Sequence, residues 1–224
     1  MKPRFIFMYS VILTLILILM SGCDLLTGNS DNIFIPNPDP ANPYPDTENG
    51  YDKIPIVDGF DFPVGDQNGQ GWAVTGYTFL QWSNYSNSLH PGEDWNMLGA
   101  SMSDWGKPVY SIGHGLVIFS GWNTAQGNII QIEHYLPNGS KVWSQYAHLE
   151  QRNVEQGEIV GRRQIIGTVG RGPNNAFSPH LHFEIRKQYL PQNAWPKTNG
   201  APWDKTKVLE YYLPPTEFIN QNRP

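Results

Sequence analysis

Three short strings carry side chains able to bind a metal and move protons: HPGED from His90 to Asp94, YAHL around His148, and HLHFEI from His180 to Ile185. In a β-strand alternate residues share a face, so His180, His182 and Glu184 point one way while Leu181, Phe183 and Ile185 point the other. The apolar set is expected on a core and the polar set in a cleft. Two imidazoles at this spacing can approach one ion, and Glu184 is near enough to orient one of them. An isolated H-x-H pattern is also compatible with a solvent-facing polar edge. In HPGED, Pro91 biases His90 toward extended backbone and Gly92 weakens a helical turn, so the segment reads as a loop that bends back on itself. An imidazole and a carboxylate from that loop, joined by one histidine of the strand, make three ligands of the kinds zinc favours, with the fourth position open for water. Tyr146 and His148 fall on one face of a strand, opposite Ala147 and Leu149. A histidine beside a metal that is not itself a ligand can take or give a proton during hydrolysis, although His148 alone reads as structural.

The elements that position these groups are β-strands. The chain has 224 residues with 39% hydrophobic and 13% aromatic content, enough for one core and a tail or linker. Gly (22) and Pro (19) are plentiful and only 16% of residues are charged, which favours a single all-β domain of antiparallel strands. Residues 59–213 read as short β segments broken by Gly, Asn and Pro. The run GLVIFSGW (115–122) is one strand, and NIIQIEHYL, PNGS and KVWSQYAHL form a hairpin. The glycine-spaced EIVGRRQIIGTVG reads as a bent meander and HLHFEIRK as a strictly alternating strand. Leu209 to Tyr212 reads as a short strand or a turn, and residues 214–224 as a polar tail. His114 at a turn and His134 on a strand are read as structural, and the eight tryptophans as core or groove wall.

The N-terminus reads as an export signal over residues 1–22. Lys2 and Arg4 precede a mostly apolar run from Phe5 to Met20, closed by Ser21, Gly22 and Cys23. It is similar to a bacterial lipoprotein signal, with Met20 where Leu is usual. Cys23 is the only cysteine, which excludes an intrachain disulfide and fits an acylation site better than a nucleophile. An uncleaved anchor and a plain signal peptide are the other two readings, and all three place the rest of the chain outside the cytoplasm. Residues 23–58, crowded with Pro, Asn and Asp, read as an extended tether. The net charge is −5, and a chain starting at Cys23, without Lys2 and Arg4, carries −7. That charge argues against a nucleic-acid partner.

Taken together and in this order, the strings resemble the lysostaphin/LytM-type zinc endopeptidases, the β-lytic metallopeptidase family of peptidoglycan hydrolases. The resemblance runs over about residues 88–187. It implies one zinc ion per chain held by His90, Asp94 and His182, with His148 and His180 as the catalytic pair. Glu184, Tyr146 and Tyr85 become accessory residues, Tyr85 as a phenol near the oxyanion. It also implies a duplicated-hybrid-motif-like antiparallel sheet with a long open groove, acting as a monomer on peptidoglycan peptides while the N-terminal lipid holds the membrane. Two rivals share the fold: a non-catalytic wall-binding or amidase-activating lipoprotein, and an extracellular protease acting on Gly-rich proteins. Asp24 resembles an inner-membrane retention signal.

Overall fold

Alternation of apolar and polar residues, interrupted by glycine and proline, produces a mostly β chain in the computed structural model, which describes residues 54–99 and 102–224. The export signal, Cys23, Asp24 and most of the expected tether lie outside the described residues. In chain order the elements are β1 (Trp72–Val74), β2 (Trp82–Ser83), β3 (Ser88–Leu89), β4 (Glu93–Met97), β5 (Pro108–Tyr110) and β6 (Gly115–Asn123). There follow β7 (Gly127–Tyr135), β8 (Lys141–Arg152), β9 (Ile159–Val160), β10 (Ile165–Val169), β11 (Leu181–Arg186), β12 (Lys197–Thr198) and β13 (Ala201–Pro202). The chain closes with α1 (Lys205–Tyr211), β14 (Tyr212–Leu213) and α2 (Pro215–Gln221). Ten strands form one antiparallel sheet in the order β1-β4-β11-β8-β7-β6-β9, with β10 pairing β5 and β8, and β14 pairing β11.

The expected hairpin is the joint between β7 and β8, turned by residues 136–140. One face of these central strands buries Val117, Ile130, Ile132, Leu149, Ile166 and Phe183 in a common core.

β11 alternates as its sequence requires: Leu181, Phe183 and Ile185 are fully buried on the core face. Its polar face is not simply a cleft wall, because Glu184 and Arg186 are fully buried too. The chain after β11 folds back over them, and Arg186 Nη1 donates to the Leu190 and Pro191 carbonyls at 2.9 and 3.1 Å.

HPGED is not a pure loop. Its last two residues open β4, which pairs with β11 so that Asp94 faces His182 and Glu93 faces Phe183. Gly92 makes this approach possible: a Cβ there would strike the Phe183 carbonyl oxygen and sit 2.9 Å from Glu184 Cγ.

The expectation that Tyr146 and His148 share a face fails at a β-bulge. Two steps of β7, from Asn128 to Ile130, pair with three steps of β8, from Leu149 to Tyr146. His148 takes φ 63°, the left-handed region, and the strand changes phase there. Tyr146 therefore faces the core, where its hydroxyl accepts the Ile112 N–H at 3.0 Å and its ring lies 5.2 Å from Phe183.

Residues 214–224 are not a polar tail. Pro214 and Pro215 start α2, as suits proline at a helix N-terminus, and Phe218 and Ile219 are buried in the core. The Glu93 carboxylate accepts the Thr216 hydroxyl at 2.7 Å and its backbone N–H at 3.2 Å, fastening α2 to β4. Leu209 lies in α1, which Asp204 caps by accepting the Lys207 N–H at 2.8 Å, and Tyr212 lies in β14. At the other end, Val57 is buried and its N–H donates to Tyr135 O at 2.9 Å, so the folded part begins before residue 59.

Candidate metal centre

Three strands side by side, β4, β11 and β8, carry the centre. Asp94 and His182 are cross-strand neighbours, Ala147 sits beside His182 on the other flank, and the bulge brings His148 to that side. His90 arrives from the turn before β4 and His180 from the loop before β11.

His90 Nε2, His182 Nδ1 and Asp94 Oδ1 converge: the separations are 3.0 Å between the imidazoles, 2.9 Å from His182 to Asp94 and 3.3 Å from His90 to Asp94. Ligands about 2.1 Å from a tetrahedral zinc lie about 3.4 Å apart, so the triangle fits the ion within a few tenths of an ångström. His90, Asp94 and His182 are all buried.

The hydrogen bonds behind these atoms fix what they offer. His90 Nδ1 lies 2.8 Å from the Gly92 carbonyl, which can only accept, so the proton sits on Nδ1 and Nε2 presents a lone pair. His182 Nε2 lies 2.8 Å from Glu184 Oε1, so Nδ1 likewise presents a lone pair. Two lone pairs and a carboxylate thus meet with no donor among them, an arrangement that a cation resolves. Without one a proton takes its place. Burial alone would lower the His182 pKa, but hydrogen bonds with Asp94 and Glu184 outweigh it and lift it to about 9. Burial likewise opposes ionisation of Asp94 and Glu184. The bonds from His182 and His90 hold Asp94 well below the usual carboxylate range, and Arg186 with His182 brings Glu184 down to about 2.

The two remaining histidines follow the same rule. His148 Nδ1 donates to Gln126 O at 2.9 Å and His180 Nδ1 to Ser178 O at 2.8 Å. Their ring centroids are 4.8 Å apart, and His148 lies 5.6 Å from His182. His180 Nε2 is 3.9 Å from Asp94 Oδ2. Burial, then repulsion by His180 and His182, holds His148 well below the ordinary histidine pKa, so it is a neutral base.

The centre floors a cleft of about 510 Å³ whose rim includes Tyr85, Asn123, Gln126, Phe177, Trp195 and Lys197. A second hollow of about 520 Å³, lined by Gln81, Asn96 and Ser178, shares Tyr77, Asp94, Phe177 and His180 with the first. The two hollows thus meet over Asp94 and His180.

Tyr85 is 76% exposed and packs edge-on against Phe177 at 5.4 Å, at the rim rather than against the ligands. Tyr146 does not reach the cleft. Glu184 lies directly behind His182. Sequence reasoning missed Tyr77, whose N–H donates to Asp94 Oδ2 at 3.3 Å and whose ring lies 5.5 Å from His90. It also missed Trp195, 5.6 Å from His182 and 6.0 Å from His90, with its indole N–H donating to Ser88 Oγ at 2.6 Å. No spacing signal marks either residue. His134 is fully buried between the His114 carbonyl and Ser144 Oγ, both at 2.8 Å, and His114 pairs with Asp58 at 3.5 Å. Among the described residues no helix is long and apolar enough to cross a membrane.

Comparison with known proteins follows the same residues. The peptidoglycan DD-endopeptidase ShyC of Vibrio cholerae serotype O1 is 35% identical over 97 residues, 43% of this chain and 21% of that protein. The L-Ala--D-Glu endopeptidase of Bacillus subtilis is 31% identical over 107 residues, 44% of this chain and 30% of that protein. The chain thus spans between a fifth and a third of the length of these two curated relatives. A solved zinc-containing peptidase from Vibrio cholerae is 28% identical with a TM-score of 0.46, covering 58% of this chain and 37% of that one. The model of Peptidase family M23 matches residues 90–194, a stretch that holds all five residues of the centre.

Proposed function

We propose that this chain is a zinc-dependent endopeptidase that hydrolyses peptide bonds of the peptidoglycan stem or cross-bridge outside the cytoplasm. The observation that carries the reading is the convergence of His90 Nε2, His182 Nδ1 and Asp94 Oδ1, each within 3.3 Å of the others, on the floor of a cleft that also takes in His148 and His180. His90, Asp94 and His182 would hold a single zinc ion, which supplies Lewis acidity and a nucleophilic hydroxide at neutral pH. His148 and His180 accept the proton of the attacking water and return it to the leaving amine or steady the developing oxyanion. Gln126 and Ser178 keep the two rings in the required tautomer.

Two hollows that meet over Asp94 and His180 suit cleavage within a chain, because substrate occupies both sides of the scissile bond. The relative named a peptidoglycan DD-endopeptidase supplies the substrate class. Export and acylation at Cys23, with the Pro-rich tether behind it, would hold a monomeric domain near a membrane while the groove reaches the wall. Zymography of purified peptidoglycan and of a Gly-rich protein, each with and without a chelator, tests the reading. Wall lysis that stops on chelation and returns with zinc is expected, with released muropeptides identifying the bond by mass spectrometry. Cleavage of the Gly-rich protein alone favours an ordinary protease, and lysis of neither substrate by the zinc-loaded chain favours a binding module.

A further inference from the structure

One carbonyl behind the groove wall ties together the two histidines to which the proposed reaction gives different tasks. Leu190 O accepts Arg186 Nη1 at 2.9 Å and Gln131 Nε2 at 3.2 Å. From Arg186 the chain of contacts runs to Glu184, with Arg186 Nε donating to Oε2 at 2.7 Å, and from Glu184 Oε1 to His182 at 2.8 Å. From Gln131 it runs to Gln145 Oε1 at 2.7 Å, and from Gln145 Nε2 to Gln126 Oε1 at 2.9 Å. The backbone carbonyl of Gln126 accepts both the N–H and the Nδ1–H of His148, at 3.0 and 2.9 Å. Arg186, Glu184 and Gln145 are fully buried, and Gln131 and Gln126 nearly so.

Such groups are retained only where every member is satisfied, since a half-satisfied buried network is worse than an apolar core. Hydrophobic residues would pack this layer at lower risk. Instead it holds five polar side chains in two series, and each series ends behind one imidazole of the centre. Both begin at the segment that carries Trp195, the ring against the two ligating histidines.

We propose that Arg186 and Gln145 are positioning residues with separate outputs: Arg186 acts through Glu184 to set the metal affinity of His182, and Gln145 acts through Gln126 to set the ring of His148. This rests on the zinc endopeptidase reading for the roles of the two histidines. The Leu190 carbonyl is the shared abutment of both series.

The experiment compares Arg186→Met, Arg186→Lys and Gln145→Met with the unaltered chain. Zinc affinity is read by competition with a chromophoric chelator, coordination by the absorption spectrum of the cobalt-loaded protein, and turnover on a cross-linked wall peptide. Arg186→Met is expected to weaken zinc binding by about 10- to 100-fold, the usual effect of removing support from a metal-bound histidine. Arg186→Lys keeps a cation on Glu184 but lacks the fork that also holds the Leu190 and Pro191 carbonyls. It should recover most of the zinc affinity while raising KM, and it keeps the test decisive if the Met variant does not fold. Gln145→Met should leave zinc affinity and the cobalt spectrum unchanged and lower kcat by about tenfold or more. Parallel losses of zinc and turnover in the Arg186 and Gln145 variants, or unchanged zinc affinity in both Arg186 variants, would overturn the assignment. An unaltered chain that binds zinc yet cuts no wall peptide refutes the proposed substrate instead, and leaves the Arg186 arm standing.

Discussion

His148 is held at φ 63° inside a strand, and comparing Ala with Gly at that position separates the backbone's role from the ring's. A residue with a Cβ in the left-handed region is strained by about 1–2 kcal/mol, which glycine escapes. In extended strand backbone the order is reversed, and glycine is about 0.5–1 kcal/mol worse than alanine because it loses more freedom on folding. Combining the two, His148→Gly should be more stable than His148→Ala by about 1 kcal/mol. Gln151, exposed on the same strand and without a positive φ, supplies the control, and there the Ala variant should be the more stable. Urea unfolding of the four variants reads the difference directly. Both His148 variants should retain zinc and lose turnover by about 10²- to 10⁴-fold, as expected for a lost general base. If Ala equals or exceeds Gly at position 148, the bulge is not what aims the ring; if zinc leaves with the imidazole, His148 is a ligand and its assigned role is wrong.

His182→Ala should lose zinc on dialysis and with it hydrolysis, measured as metal content and wall lysis, because two ligands cannot hold the ion against water. Removing residues 214–224 strips Phe218 and Ile219 from the core, about 1.5–3 kcal/mol each, and strands the Glu93 carboxylate. The melting temperature should fall by about 10–20 °C, and a change of a degree or two would show that α2 is dispensable. His134 is fully buried, and burial lowers its pKa from the ordinary 6.5 to about 4. The unfolded chain therefore binds a proton between these values that the folded chain refuses. The His134 contribution is intact above about pH 6.5 and is lost as pH falls toward 4, up to about 3 kcal/mol. His134→Gln should flatten the stability profile in that window, and identical slopes for the two proteins would refute the burial argument.

What could be read from the sequence follows from which features leave a local trace. The period-two pattern of Leu181 to Ile185 and the turn at residues 136–140 gave β11 and the hairpin directly. The bulge at His148 left none, because a change of strand phase is made by one residue's φ and not by any residue type. Alternation therefore put Tyr146 beside His148, when the fold sends one to the core and the other to the centre. The helix α2 was missed because seven residues with three buried positions, one of them the proline at its start, carry too little periodicity to distinguish from a polar tail. Trp195 and Tyr77 reach the ligands through tertiary folding alone.

The parts of the centre differ in how firmly they are held. Asp94 and His182 are fixed by the register of paired strands, so their separation cannot change without parting β4 from β11. His90, His148 and His180 are each oriented by a single backbone carbonyl, those of Gly92, Gln126 and Ser178. A carbonyl cannot donate, so it selects the tautomer as well as the direction. The one functional imidazole oriented by a side chain is His182, through Glu184, and Glu184 is in turn held by Arg186. Metal affinity is thereby the property most exposed to change at a residue outside the groove, and turnover the property that depends on the course of the backbone at the bulge.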